Sequence, residues 1–136
     1  LIVPYIGSYS TVGKNIIVAW NASREATRAV KDAIPLLKLA ENVHVVAVDS
    51  GYGEHESFPC TDIVNYLAQH GVNVDVHRIS GGQIDIGNEL LSRAADISAD
   101  LIVMGGYCHS RLREWVLGGA TRTILESMTI PVLMSH

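Results

Sequence analysis

The residues best suited to chemistry lie in one stretch, Gly105-Gly106-Tyr107-Cys108-His109-Ser110-Arg111-Leu112-Arg113-Glu114-Trp115-Val116-Leu117-Gly118-Gly119-Ala120-Thr121. Its glycines let backbone approach a bound group closely. Amides left free where a helix starts, together with the helix dipole, favour anions such as phosphate. The pattern predicts a helix from about Gly119 to Met128, with its first free amides around Gly119 to Thr121. Glycines after a strand serve equally well as turn residues. Arg111, Arg113 and Arg122 flank the loop and could meet phosphates, although arginines on a helix commonly just solvate its face. Trp115 reads as packing against the core or a partner.

Other reactive side chains give weaker patterns. Cys108 beside His109 could form a low-pKa thiol near a helix start, against the plainer reading of a loop cysteine with no redox role. Asp49, Glu54 and Glu56 could bind a cation or form a solvated acidic loop. The six histidines, at 44, 55, 70, 77, 109 and 136, show no paired spacing on one predicted helix face. No zinc site is therefore expected. A general base, a nucleophile and an oxyanion donor do not occur together, so the chain does not read as an enzyme.

Short buried runs alternating with helical periods must position these residues. Ile16 to Trp20 is apolar and rich in β-branched residues, as in a strand covered on both faces. Ser23 can cap a helix carrying Ala26, Ala29, Val30, Ala33, Leu37 and Ala40 at helical spacing, with a kink at Pro35. Val43 to Val48 is a second strand, and Asp49 to Phe58 a loop. A helix from Pro59 to His70 ends at Gly71. Val72, Val74 and Val76 alternate with polar residues, which predicts a strand near the sheet edge. Asp85 can cap a helix with Ile86, Leu90, Ala94 and Ile97 facing inward. Leu101 to Met104 is a buried strand, and Ile130 to Met134 the last. The order β-α-β-α-β-α-β-α-β predicts a three-layer α/β/α domain with a five-stranded parallel sheet, order 3-2-1-4-5. Asn21 and Gly105 then end adjacent central strands, where such sheets bind ligands.

Composition narrows the function classes. The chain has 136 residues, 48% hydrophobic and 18% charged, which fits one globular domain. A formal net charge of −4, without a basic stripe, argues against nucleic acid as a partner. No apolar run approaches the roughly 20 residues of a membrane helix. Two cysteines, Cys60 and Cys108, make a poor disulfide framework. A cytoplasmic location is expected. The opening Leu1-Ile2-Val3-Pro4-Tyr5 does not have the pattern of a signal peptide. It echoes the closing Pro131-Val132-Leu133-Met134, so residues 1–14 read as the end of a preceding repeat plus linker, and residues 15–136 as the domain.

Asp100-Leu101-Ile102-Val103-Met104-Gly105, Leu117-Gly118 and Ile130-Pro131-Val132-Leu133-Met134 resemble the C-terminal half of the universal stress protein family. Ile16-Ile17-Val18-Ala19-Trp20-Asn21-Ala22-Ser23 is similar to its first strand and turn. The resemblance implies a Rossmann-like fold of the adenine nucleotide alpha hydrolase type. It also implies pairing through the last strand, Ile130–Met134, either as a homodimer or as two copies in tandem. ATP-binding members of that family carry G-x2-G-x9-G-[S/T] and an aspartate ending strand one. Here Gly105 and Gly118 match, while Cys108 replaces the second glycine, Gly119 the hydroxyl residue and Asn21 the aspartate. Val48 matches the position whose backbone faces adenine. The implied binding residues are Ala19, Asn21, Val48, Gly105, Cys108, Gly118, Gly119, Ala120 and Thr121, with Thr121 offered as a substitute hydroxyl.

These substitutions predict weak or absent nucleotide binding. A side chain at a left-handed position costs roughly 1–2 kcal/mol, and a lost hydroxyl bond to phosphate about 1.5–3 kcal/mol. Together they amount to two to three decades in affinity at ~1.4 kcal/mol per decade. Two readings follow. One is a stress-response module with a degenerate loop; the other is an ATP- or AMP-binding switch using the strand-one and strand-four loops.

Overall fold

The computed structural model describes residues 1–49, 60–80, 85–106 and 114–136. Five strands and four helices alternate: β1 (Asn15–Trp20), α1 (Arg24–Leu37), β2 (Asn42–Asp49), α2 (Cys60–Gln69), β3 (Asp75–Ser80), α3 (Ile86–Asp96), β4 (Leu101–Gly105), α4 (Glu114–Ser127) and β5 (Val132–Ser135). The sheet is parallel throughout, in the order β3-β2-β1-β4-β5. This is the expected order, with the reversal between β1 and β4.

The run of apolar residues in β1 and β4 follows from burial on both faces. Ile16, Val18, Leu101 and Val103 pack beneath α1 and α2 with Ala29, Val30 and Leu67. Ile17, Ile102 and Met104 point the other way, toward Leu90, Ala94 and Ile124 of α3 and α4. The α3–α4 packing is close: a Cβ on Gly87 would lie 2.6 Å from the Thr123 Cβ. Asp85 reinforces that contact, capping the Gly87 amide (2.9 Å) and accepting from the Thr123 hydroxyl (2.7 Å).

Asp100 fixes the start of the central strands. Its carboxylate accepts from the amides of Gly13 (3.0 Å), Lys14 (3.1 Å) and Asn15 (3.0 Å). Burial pushes this carboxyl up, but the Lys14, Asn15 and Gly13 amides and the Thr11 hydroxyl outweigh it and hold it below the usual range.

Several element boundaries differ from expectation; α1, for one, ends at Leu37, short of Ala40. The third strand starts at Asp75 rather than Val72, because Gly71 takes a left-handed φ of +77° and ends α2. Its amide donates to the Ala68 carbonyl (2.9 Å) and that of Val72 to Leu67 (3.0 Å), so Val72 closes the helix end. The last strand starts at Val132 rather than Ile130, since Pro131 has no amide for the ladder and contributes only its carbonyl, to Ile102 (3.0 Å). The fourth helix opens at Glu114, five residues before the expected Gly119.

The opening segment pairs with the closing edge. Ile2 and Val132 form an antiparallel bridge with two reciprocal 2.8 Å hydrogen bonds. Leu1, Val3, Tyr5 and Ile6 nevertheless leave most of their apolar surface exposed.

Candidate functional site

The carboxyl ends of β1 and β4 are in register, Ala19 beside Met104. Beyond them the chain leaves β1 through Asn21, Ala22 and Ser23. Ala22 sits in the left-handed region at φ 57°, a conformation that strains a residue with a Cβ by about 1–2 kcal/mol. Two short bonds offset that strain. Ser23 Oγ accepts from the Ala26 amide at 3.1 Å and caps α1. Asn21 Oδ1 accepts from the Ser23 amide at 3.2 Å. The carboxamide oxygen of Asn21, which stands where ATP-binding members of the family carry an aspartate, is therefore turned back onto its own loop.

A small depression joins these elements. Ala19, Trp20, Asn21, Val48, Ile86, Leu90, Met104, Gly105 and Ala120 line it. Five of the predicted binding residues, Ala19, Asn21, Val48, Gly105 and Ala120, thus converge on one place. The described walls leave a volume of only about 20 Å³ there.

Other predicted residues fall elsewhere. Gly118, Gly119 and Thr121, like Ala120, lie inside α4 rather than at its start, so their amides belong to helical positions past the first turn. Thr121 is buried, at 2% exposure, and does not line the depression, which counts against it as the substitute hydroxyl. Gly119 faces open space where a Cβ would stand. Cys108, His109, Arg111 and Arg113 lie outside the described residues, as do Glu54, Glu56 and His55, together with the side chains of Asp49 and Trp115. Arg122 pairs with Glu126 at 2.8 Å one helical turn on.

Gly105 and Gly106 have packing reasons to be glycine. A Cβ on Gly105 would meet the Ala26 amide nitrogen at 2.6 Å, and one on Gly106 the Met134 sulfur at 2.8 Å. Cys60, buried at the start of α2, has its thiol pushed up by burial, against a smaller opposite effect of Arg78; it is not an activated thiol. On the α1–α2 face a second, mainly apolar hollow of about 400 Å³ lies between Trp20, Thr27, Val30, Asp62, Ile63 and Tyr66.

Two histidines without helical spacing meet across the sheet. His44 of β2 and His77 of β3 stand on the same sheet face, with His44 Nδ1 3.1 Å from His77 Nε2. Residues 33 apart meet only through strand pairing, so spacing within one helix could not reveal them.

A five-stranded parallel sheet in the order 3-2-1-4-5, with its loops converging past β1 and β4, defines the Rossmann-like class of α/β proteins. The chain belongs to the universal stress protein family, which it matches over residues 13–136. No curated protein matches its sequence. Its fold is shared by solved structures that include the following three. A universal stress protein from Archaeoglobus fulgidus is 21% identical, with a TM-score of 0.69 over 91% of this chain and 44% of its own. UspA from Lactobacillus plantarum is 16% identical, with a TM-score of 0.67 over 93% of this chain and 100% of its own. A family protein from Arabidopsis thaliana with AMP bound is 14% identical, with a TM-score of 0.59 over 90% of both chains.

Proposed function

We propose that this chain is a stress-response regulatory module whose adenine-nucleotide site is degenerate and binds ATP or AMP weakly. The observation that carries this reading is the cleft at the ends of β1 and β4. There Asn21 stands where ATP-binding members of the family carry an aspartate, and its carboxamide oxygen accepts from the Ser23 amide within its own turn. Replacement of the loop's second glycine by Cys108 and of its hydroxyl residue by Gly119 supports the same conclusion.

The second reading, an AMP- or ATP-responsive switch, draws support from the Arabidopsis neighbour with AMP bound. Neither reading involves turnover, because no nucleophile, base and oxyanion donor stand together in the sequence. The module acts in the cytoplasm; among the described residues no helix is long and apolar enough to cross a membrane. It associates through its last strand, as a homodimer or as one half of a tandem chain. The apolar opening segment beside Val132 supports such edge pairing, as does the Archaeoglobus structure, of which the matched region is less than half.

Calorimetric titration with ATP and with AMP tests the proposal. The expected result is a Kd above about 100 µM for the native chain, tightening at least tenfold in the Cys108→Gly, Gly119→Ser double variant. Native binding at low micromolar Kd would favour the switch and overturn the degenerate-site reading.

A further inference from the structure

His44 and His77 are brought together by the register of two parallel strands. His44 pairs with Asp75 across the β2–β3 ladder, and Val46 pairs with His77. Positions 44, 75 and 77 therefore share one face of the sheet, the face that α3 covers with Leu90 and Ala94. The imidazole centroids are 5.3 Å apart, and the facing nitrogens 3.1 Å. Asp75 Oδ2 lies 3.8 Å from the same His44 Nδ1.

We propose that His44 Nδ1 and His77 Nε2 form a two-histidine site for a divalent transition metal of the zinc, copper or nickel class. Two nitrogens each 2.0–2.1 Å from one metal ion lie about 2.9–3.4 Å apart for bond angles between 90° and 110°. The observed 3.1 Å falls inside that span, and because the 5.3 Å centroid separation sets the two nitrogens head-on as a hydrogen bond, both rings turn for their lone pairs to meet one ion. Among the described residues no group of three His, Cys, Asp or Glu side chains is arranged to hold a metal. The metal is thus held by two protein ligands, and water fills its other positions. The largely exposed Asp75 carboxylate supplies negative charge beside it.

Arg93 of α3 opposes a cation electrostatically, but its charge is shared with Glu89, 3.9 Å away. Arg93 Nε is buried without a hydrogen-bond partner, and a metal-bound water is the kind of acceptor it lacks. Both rings must offer bare nitrogens. In the neutral pair one ring donates to the other, so metal binding moves that donor's proton to its second ring nitrogen and releases none.

The site lies on the sheet-edge pair β3–β2, apart from the depression past β1 and β4, and does not depend on nucleotide binding. Titration of the full chain with zinc, nickel and copper(II) salts at pH 7.5 tests it. One ion per chain is expected, with Kd below about 100 µM and copper tightest. His44→Gln and His77→Gln should each weaken binding at least tenfold, whereas His70→Gln and His136→Gln should leave it unchanged. Long-range proton–nitrogen spectra of the native chain with zinc should shift His44 Nδ1 and His77 Nε2, a readout that needs no variant to fold. Absence of saturable binding up to 1 mM metal, or unchanged affinity in folded His44→Gln and His77→Gln variants, or shifts confined to other histidines, would overturn the proposal and leave the pair a hydrogen bond only.

Discussion

Gly105 at the end of β4 is packed against the backbone of Ala26, whose amide nitrogen an added Cβ would approach to 2.6 Å. The same Ala26 amide is the donor capped by Ser23, so the strand end and the first turn of α1 form one rigid corner of the cleft. Gly105→Ala should therefore lower unfolding stability by about 1–3 kcal/mol through overpacking. Gly119→Ser, made where space is open, should stay within about 0.5 kcal/mol of the native chain. Urea denaturation of both variants checks the contrast; an unaffected Gly105→Ala chain would mean that the corner yields.

The β1–α1 turn depends on a single hydroxyl. Ser23→Ala removes the acceptor 3.1 Å from the Ala26 amide, and should destabilise the chain by ~1 kcal/mol. A matching loss in thermal midpoint is the measurement.

Asn21→Asp keeps an acceptor for the Ser23 amide, now 3.2 Å from Asn21 Oδ1, so the turn should survive with little change in stability. A charged oxygen accepts a ribose hydroxyl more strongly than an amide does, by about 1 kcal/mol or roughly fivefold in affinity. Calorimetry with AMP before and after the change measures this. Equal affinities would indicate that residue 21 does not face a bound ribose.

Asp100 makes stability depend on acid. Its folded carboxyl is held below the ordinary aspartate value of 3.8, so folding favours the ionised form. The stabilisation is fully present above pH 3.8 and is lost as pH falls from there through the lowered folded value. Asp100→Asn should destabilise the chain by about 1–3 kcal/mol at pH 7, since three amides lose a charged acceptor. Urea midpoints of the two proteins should draw together as the pH drops below the unfolded carboxyl's range. A constant gap down to pH 2 would place the effect in packing.

Deletion of residues 1–5 removes the two 2.8 Å bonds between Ile2 and Val132 and uncovers that part of the β5 edge. The shortened chain should self-associate more strongly at equal concentration, because an unpaired edge seeks another strand. Sedimentation velocity of both forms makes the comparison. Unchanged association would argue against pairing through the last strand.

Some structural relations were written in local pattern, others only in contacts between distant residues. Val72, Val74 and Val76 alternate as a strand would, yet the left-handed Gly71 turns Val72 into the closing residue of α2. Periodicity reports which residues have an apolar side, and a helix end needs apolar contacts too. The start of α4 at Glu114 was hidden for a related reason. Gly118 and Gly119 look like a stop to any helix, although a helix tolerates glycine at about 1 kcal/mol each relative to alanine.

The sequence by itself determined the order of elements and the parallel sheet. Those follow from the burial of β1 and β4 on both faces and from the crossovers between strands, which are properties of neighbouring residues. Only the tertiary structure decided that Asn21 satisfies its own turn, that Gly105 fits against Ala26, and that His44 meets His77. Gly105 and Ala26 are far apart in the chain, as are the two histidines, and strand register with side-chain direction brings each pair together. Asn21 lies close to its partner, but its bond depends on a left-handed Ala22 that no residue type announces.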